Sequence, residues 1–191
     1  MKTIYFVRHG QSQANLDGIY AGQSDSPLTQ KGKDQAKQAS EQAKDLKIEK
    51  IFSSDLQRAY DTAGVIADKL AIPKEKIEQT QLLREVNVGK LAGKPERGRK
   101  GTIHEDLPGF SYYFKIKNND MDVEYIGDIH KRLHFLIEVL KQQREEVILL
   151  VSHDIIGLIL RQMLEDREGD IFKEPSFLNG KVEEIVWRVQ V

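Results

Sequence analysis

The sequence predicts an α/β fold, a parallel sheet with helices on both faces, and three observations predict it. Short β-branched or aromatic runs alternate with segments of helical apolar spacing. "VILLVS", Val147–Ser152, is a continuous branched run of the kind a buried central strand needs. The 191 residues suit one domain, or one domain with an insertion, and are enough to bury a sizeable core.

The elements follow in order. Residues 3–7, "TIYFV", read as a first strand. In "SPLTQKGKDQAKQASEQAKDL", Ala36, Ala39, Ala43 and Leu46 recur at helical spacing, and Thr29 is placed to cap that helix. Residues 51–53 form a short second strand. Leu56, Ala59, Ala63, Ile66 and Leu70 mark a second helix that Pro73 stops. Ile129, Leu133, Leu136, Ile137 and Leu140 predict a third, and residues 155–164 a fourth after "VILLVS". "VEEIVWRV" alternates and suits a final edge strand. Residues 93–127 are weakly patterned, rich in glycine and charge, and read as an insertion or lid.

Composition narrows the function classes. Lysine and arginine total 29 against 30 acidic residues, so no global field favours nucleic acid or an anionic membrane. Any bound anion must be held by local groups. With no cysteine, disulfides, thiolate metal sites and cysteine nucleophiles are excluded. The start, "MKTIYFVRHG", has too short an apolar run for a signal peptide, and no stretch approaches the ~20 apolar residues of a membrane span. A soluble cytoplasmic protein is expected; oligomeric state is not legible.

In an open α/β sheet, ligands sit beyond the carboxyl ends of the strands. Arg8 and His9 follow the first strand, His153 follows "VILLVS", and Arg58 lies early in a helix after a strand. Arginine forks suit phosphate oxygens, and helix N-termini at Asp55 and Asp154 would add backbone donors. Flanking cations disfavour the imidazolium, so His9 should remain neutral and keep a lone pair. A neutral imidazole facing phosphorus is a nucleophile, and the bond formed would be phosphohistidine. The leaving alkoxide needs a proton, and "LLREVNVGKLAG" offers Glu85 as a general acid of raised pKa.

Five ordered blocks, "VRHGQSQAN", "SPLTQKG", "SSDLQRAYDTA", "LLREVNVG" and "LLVSH", resemble the histidine phosphatase superfamily, phosphoglycerate mutase branch. The resemblance covers nearly the whole chain and is weakest over 93–127. It implies a three-layer α/β/α sandwich with a mostly parallel central sheet. It also implies His9 as phosphorylated nucleophile, Glu85 as proton donor, and Arg8, Asn15, Gly22, Arg58 and His153 around the phosphoryl group. No metal and no cofactor are implied, and the expected partner is a small-molecule phosphate ester.

Four positions depart from the pattern. Ala92 stands where a G-x-x-E-G glutamate often occurs, Ala21 replaces a polar phosphate contact, and Asp154 replaces a glycine after the second histidine. "EYIGD" stands where a G-E-S block is common. Asp154 reads either as a helix N-cap or as an anion close to the phosphate.

Bland readings compete for other groups. Asn15 is also a natural turn residue, and Gln11 and Ser12 read as loop and capping groups. His130 and His134 have ligand spacing but no third ligand, and read as a solvated helix face. Lys90, Lys94, Arg97, Arg99 and Lys100 read as a solvated loop, or else attract a multiply anionic substrate. Phe110, Tyr112, Tyr113 and Phe114 read as packing of the insertion onto the core rather than as a substrate mouth. A metal site of His9, His153, Asp55 and Asp154 is disfavoured by the flanking arginines.

Phosphomonoester hydrolysis is therefore the leading expectation. A mutase using the same pocket is the first alternative. The chain is short for a sealed mutase site, and "YAGQSDSP" lacks the tryptophan often seen there in mutases. A non-catalytic phospho-ligand binding protein is the second alternative.

Overall fold

The structure, a computed structural model, describes residues 2–96 and 113–188. Its elements are β1 (Thr3–Arg8), α1 (Gln13–Asp17), α2 (Gln30–Ala43), β2 (Lys50–Ser54), α3 (Gln57–Lys69), β3 (Glu78–Thr80), α4 (Ile126–Lys141), β4 (Val147–Ser152), α5 (Asp154–Glu165) and β5 (Val182–Ile185). The sheet runs β3-β2-β4-β1-β5. β1, β2, β3 and β4 pair parallel, and β5 closes the edge antiparallel to β1. This is the mostly parallel α/β sandwich expected from the pattern.

Alternation along the strands builds two cores, one on each face of the sheet. Ile4 and Phe6 of β1, with Ile148 and Leu150 of β4, pack against Leu133, Leu136 and Leu140 of α4 and Ile156, Ile159 and Leu160 of α5. Val7, Leu149, Val151 and Ile51 face the other way, onto the alanine rows of α2 and α3. Those alanines, Ala39, Ala43, Ala59 and Ala63, are fully buried. "VILLVS" is the middle strand of the five, apolar on both faces, and it pairs with both β1 and β2.

Thr29 caps α2 as predicted, its side chain accepting from the Gly32 amide at 3.0 Å. Three local expectations need correction. α2 ends at Ala43, so Leu46 lies beyond it. α3 starts at Gln57 with Leu56 as its cap, because the Asp55 carboxylate is taken by Arg84 at 2.6 and 2.7 Å. Asp154 is the first residue of α5 rather than its cap, which is His153. β3 and the one-turn α1 were not foreseen: "EQT" has no apolar alternation, and five residues are too few to show a period.

Of the aromatic run, Tyr113 and Phe114 are buried, and Phe114 belongs to the α4–α5 core, in line with packing. Phe110, Tyr112, Arg97, Arg99 and Lys100 lie outside the described residues. Lys90 is exposed and pairs with Asp122 at 3.1 Å.

One close approach gives a testable consequence. A Cβ at Gly157 of α5 would sit 2.5 Å from Phe6 Cζ and 2.9 Å from Phe177 Cδ2. Phe6 and Phe177 are themselves in contact, tilted at 45° with ring centroids 4.4 Å apart. Gly157→Ala should therefore destabilise by about 1–3 kcal/mol through overpacking, despite alanine's better helix propensity. Urea unfolding checks this: an unchanged or higher midpoint would mean that the rings yield freely.

Candidate active site

β1 delivers Arg8 and His9 to the carboxyl edge of the sheet. The His9 amide donates to the Ser152 carbonyl at 3.0 Å, so the two strand ends carrying the histidines are held in step. The glycine of "RHG" has a steric reason. A Cβ on Gly10 would meet the Gly32 carbonyl oxygen at 2.1 Å, so the turn lies directly on the start of α2.

The His9 ring is buried, and its Nδ1 lies 2.7 Å from the Gly10 carbonyl oxygen. A carbonyl only accepts, so Nδ1 donates and Nε2 carries the lone pair of the neutral ring. Burial, then Arg58, then Arg8 hold the His9 pKa well below the usual imidazole value. His153 packs edge-on against it with centroids 5.0 Å apart, and its Nε2 is 2.9 Å from Ser54 Oγ. Burial and then Arg58 depress His153 in the same way. Neutral rings can share this space; two imidazolium ions could not.

Arg58, in the first turn of α3, is almost wholly buried. Its fork is aimed by two carbonyls, Gly22 at 2.6 Å and Ser24 at 2.9 Å. Gly22 thus enters the site through its backbone, as a holder of Arg58. Asn15 is not in a turn. It is the third residue of α1, and its side chain accepts from the Ser12 amide at 3.1 Å while Ser12 Oγ accepts from the Asn15 amide, a reciprocal cap. The capping role read for Ser12 holds, and both side chains line the cavity.

Glu85 lies on a segment tied from several sides. Ser152 Oγ donates to the Leu83 carbonyl, Arg132 to the Leu82 carbonyl and Gln23 to the Glu85 carbonyl, at 2.7, 2.6 and 2.9 Å. Burial raises the Glu85 pKa; the Val86 amide opposes this, and Asp154 reinforces it.

Arg8, His9, Asn15, Gly22, Arg58 and Glu85 converge on one cavity of about 190 Å³. His153 stands behind His9 and is completely buried. Among the described residues, three buried polar side-chain atoms lack a hydrogen-bond partner, and two of them, Arg8 Nε and His153 Nδ1, belong to this cluster. Residues not singled out in the sequence also line the cavity, including Tyr20, Val86, Val88, Glu96 and Ile155. Val86 and Val88 could have been found from their alternation beside Glu85. Tyr20 and Glu96 are brought to the cavity by backbone pairing of residues 18–20 with 93–96, the Ile19–Pro95 bridge included, which no local pattern announces.

The histidine phosphatase superfamily (branch 1) profile matches residues 4–190. "Probable phosphoglycerate mutase GpmB" of Escherichia fergusonii is 34% identical over 170 residues, covering 86% of this chain and 75% of that protein. A mycobacterial glucosyl-3-phosphoglycerate phosphatase complexed with VO3 has a TM-score of 0.80 at 24% identity, covering 100% of this chain and 98% of that one. The alpha-ribazole phosphatase of Shigella flexneri has a TM-score of 0.78 at 23% identity, covering 95% and 89%. The two structures establish a shared fold, while the profile and the sequence identity establish kinship. The chain belongs to branch 1 of the histidine phosphatase superfamily.

Proposed function

We propose that the protein hydrolyses small phosphomonoesters through a phosphohistidine at His9. The observation that carries this reading is the pairing, in one cavity, of a neutral, Nδ1-anchored imidazole with the orphaned Nε–H of the Arg8 guanidinium. Buried donors without partners call for an anion, and a phosphoryl group supplies several acceptor oxygens. In the first step the His9 Nε2 lone pair forms a bond to phosphorus as the ester P–O bond breaks. The leaving oxygen takes the Glu85 proton. In the second, water attacks phosphorus, Glu85 accepts the water proton, the P–N bond breaks, and phosphate departs with His9 regenerated. Arg8 and Arg58 hold the equatorial oxygens, which is where most of the stabilisation of phosphoryl transfer resides, while His153, outside the cavity lining, backs the His9 ring.

The cavity lining supports the substrate class. Tyr20, Val86, Val88 and Ile155 line it with largely apolar side chains, and Glu96 adds a carboxyl that opposes a second anion. That favours a hydroxylated or apolar leaving group over one with a second anion. Esters with uncharged leaving groups should be cleaved with kcat/KM at least about 10-fold above 3-phosphoglycerate, the scale of one unpaired charged contact.

The relation to the GpmB protein favours a second reading, phosphoryl transfer between positions of a phosphoglycerate. Incubation with 3-phosphoglycerate, with and without a bisphosphate primer, separates the two. Phosphate release without primer is the expected result. Primer-dependent isomerisation with no phosphate release would replace hydrolase by mutase.

A further inference from the structure

Asp154 takes no part in the chemistry above, yet it lines the cavity beside Arg8. Its Oδ2 pairs with Arg8 Nη1 at 3.1 Å, and its Oδ1 accepts from the Phe177 amide at 2.9 Å. The same Arg8 nitrogen donates to the Phe177 carbonyl, also at 3.1 Å. Guanidinium, carboxylate and the peptide at 177 therefore close a ring. The loop around Phe177 is anchored in turn. Asn179 Nδ2 donates to the His9 carbonyl at 2.6 Å, the Gly180 amide donates to the Arg8 carbonyl at 2.9 Å, and Arg161 lies 4.5 Å over the Phe177 ring.

We propose that Asp154 is a positioning residue, whose carboxylate locks the Arg8 fork against the 177 loop in the orientation that the phosphoryl transition state requires. Left to itself, an arginine at a strand end has several rotamers, and misplacement by an ångström costs orders of magnitude in rate. The same carboxylate is an anion beside a dianion, so it weakens binding of the ground state. The two effects have opposite signs, which makes them separable: alignment appears in kcat, repulsion in ground-state affinity.

The proposal rests on the phosphohistidine reading, and its test separates the two. Asp154→Asn keeps an oxygen for the Phe177 amide and removes only the charge. Its kcat should fall about 10- to 100-fold, while inorganic phosphate binds as tightly as in the wild type or more tightly. Vanadate, which imitates the transition state, should lose affinity relative to phosphate by a similar factor. In an Arg8→Met background, Asp154→Asn should cost nothing further, because the two act as one unit.

A pH profile adds a readout that a merely structural role would not move. Glu85 is faced by Asp154 from α5, Arg58 from α3 and Arg8 from β1, with Glu96 lining the same cavity. Removing the Asp154 charge lets the Glu85 pKa fall, so the alkaline limb of kcat should move to lower pH.

Undiminished kcat with phosphate and vanadate tightened in parallel would show that Asp154 is only a repulsive anion. Equal losses with and without Arg8 would show that it does not act through that residue. A wild type that binds vanadate but releases no phosphate would end the hydrolase reading, leaving the anion comparison to judge Asp154.

Discussion

His9→Ala should abolish phosphate release, with a loss on the order of 10⁴-fold or more, the scale seen when a nucleophile is removed from a preorganised site. The size follows from the absence of a substitute. His153, the adjacent imidazole, is completely buried behind His9, and its Nε2 is engaged with Ser54 Oγ at 2.9 Å. Ser12 Oγ accepts from the Asn15 amide and caps α1. Neither neighbour is placed to form a bond to phosphorus without rebuilding its own surroundings. The wild type, quenched in the steady state with labelled ester, should carry acid-labile, base-stable phosphate on His9, and the variant none. Turnover by wild type without that label would remove the covalent mechanism. Turnover by the variant at more than a few per cent would remove His9 from its role. Because burial and two arginines hold the His9 pKa down, the ring should still be a neutral nucleophile below the usual imidazole range. The acid limb of kcat/KM should accordingly lie lower than for an exposed histidine.

Much of this site was legible because its parts are attached to the most regular elements. Arg8, His9 and His153 follow the two central strands, whose apolar runs are unambiguous, and Arg58 follows β2 on the first turn of a well-patterned helix. Any parallel sheet of these strands brings the four residues to one edge, whatever the details of the loops. What escaped was set by contacts remote in sequence. Asp55 reads as a helix N-terminus, but Arg84 claims its carboxylate and the helix starts at Gln57, and Asp154 could be judged only once Phe177, 23 residues on, came to lie beside it. Asn15, placed near the phosphoryl group by resemblance and open to a turn reading, has a partner in the Ser12 amide that is invisible in composition. β3 contributes three polar residues at the sheet edge, where pairing with β2 rather than side-chain burial makes the strand. Local periodicity records what is buried, and it is silent about backbone ladders and about which charges meet.

Glu85→Gln should separate substrates by their leaving groups. Glutamine keeps the size and an acceptor for the Val86 amide, which Glu85 Oε1 now meets at 3.0 Å, so the segment that Leu82, Leu83 and Gln23 anchor is not disturbed. What disappears is the transferable proton. An alkyl phosphate expels a strongly basic alkoxide and should slow by about 10²–10⁴-fold. p-Nitrophenyl phosphate expels a phenolate that leaves without help, so its phosphorylation step should be nearly unaffected and any residual loss should come from activating water. The pH dependence has a definite sign. Burial raises the Glu85 pKa, with Asp154 adding to it and Arg58 and Arg8 opposing. The acid is therefore present at low pH and lost as pH rises through a value above the ordinary carboxylate range. In the wild type the alkyl ester should show this falling alkaline limb, and in Glu85→Gln the limb should vanish, since the amide does not titrate. Burst kinetics locate the loss: the alkyl ester should lose its first step, p-nitrophenyl phosphate only its second. Equal slowing of both esters in the first step, or an alkaline limb that survives the substitution, would place the proton on another group, and the carboxylate in this cavity would then serve binding alone.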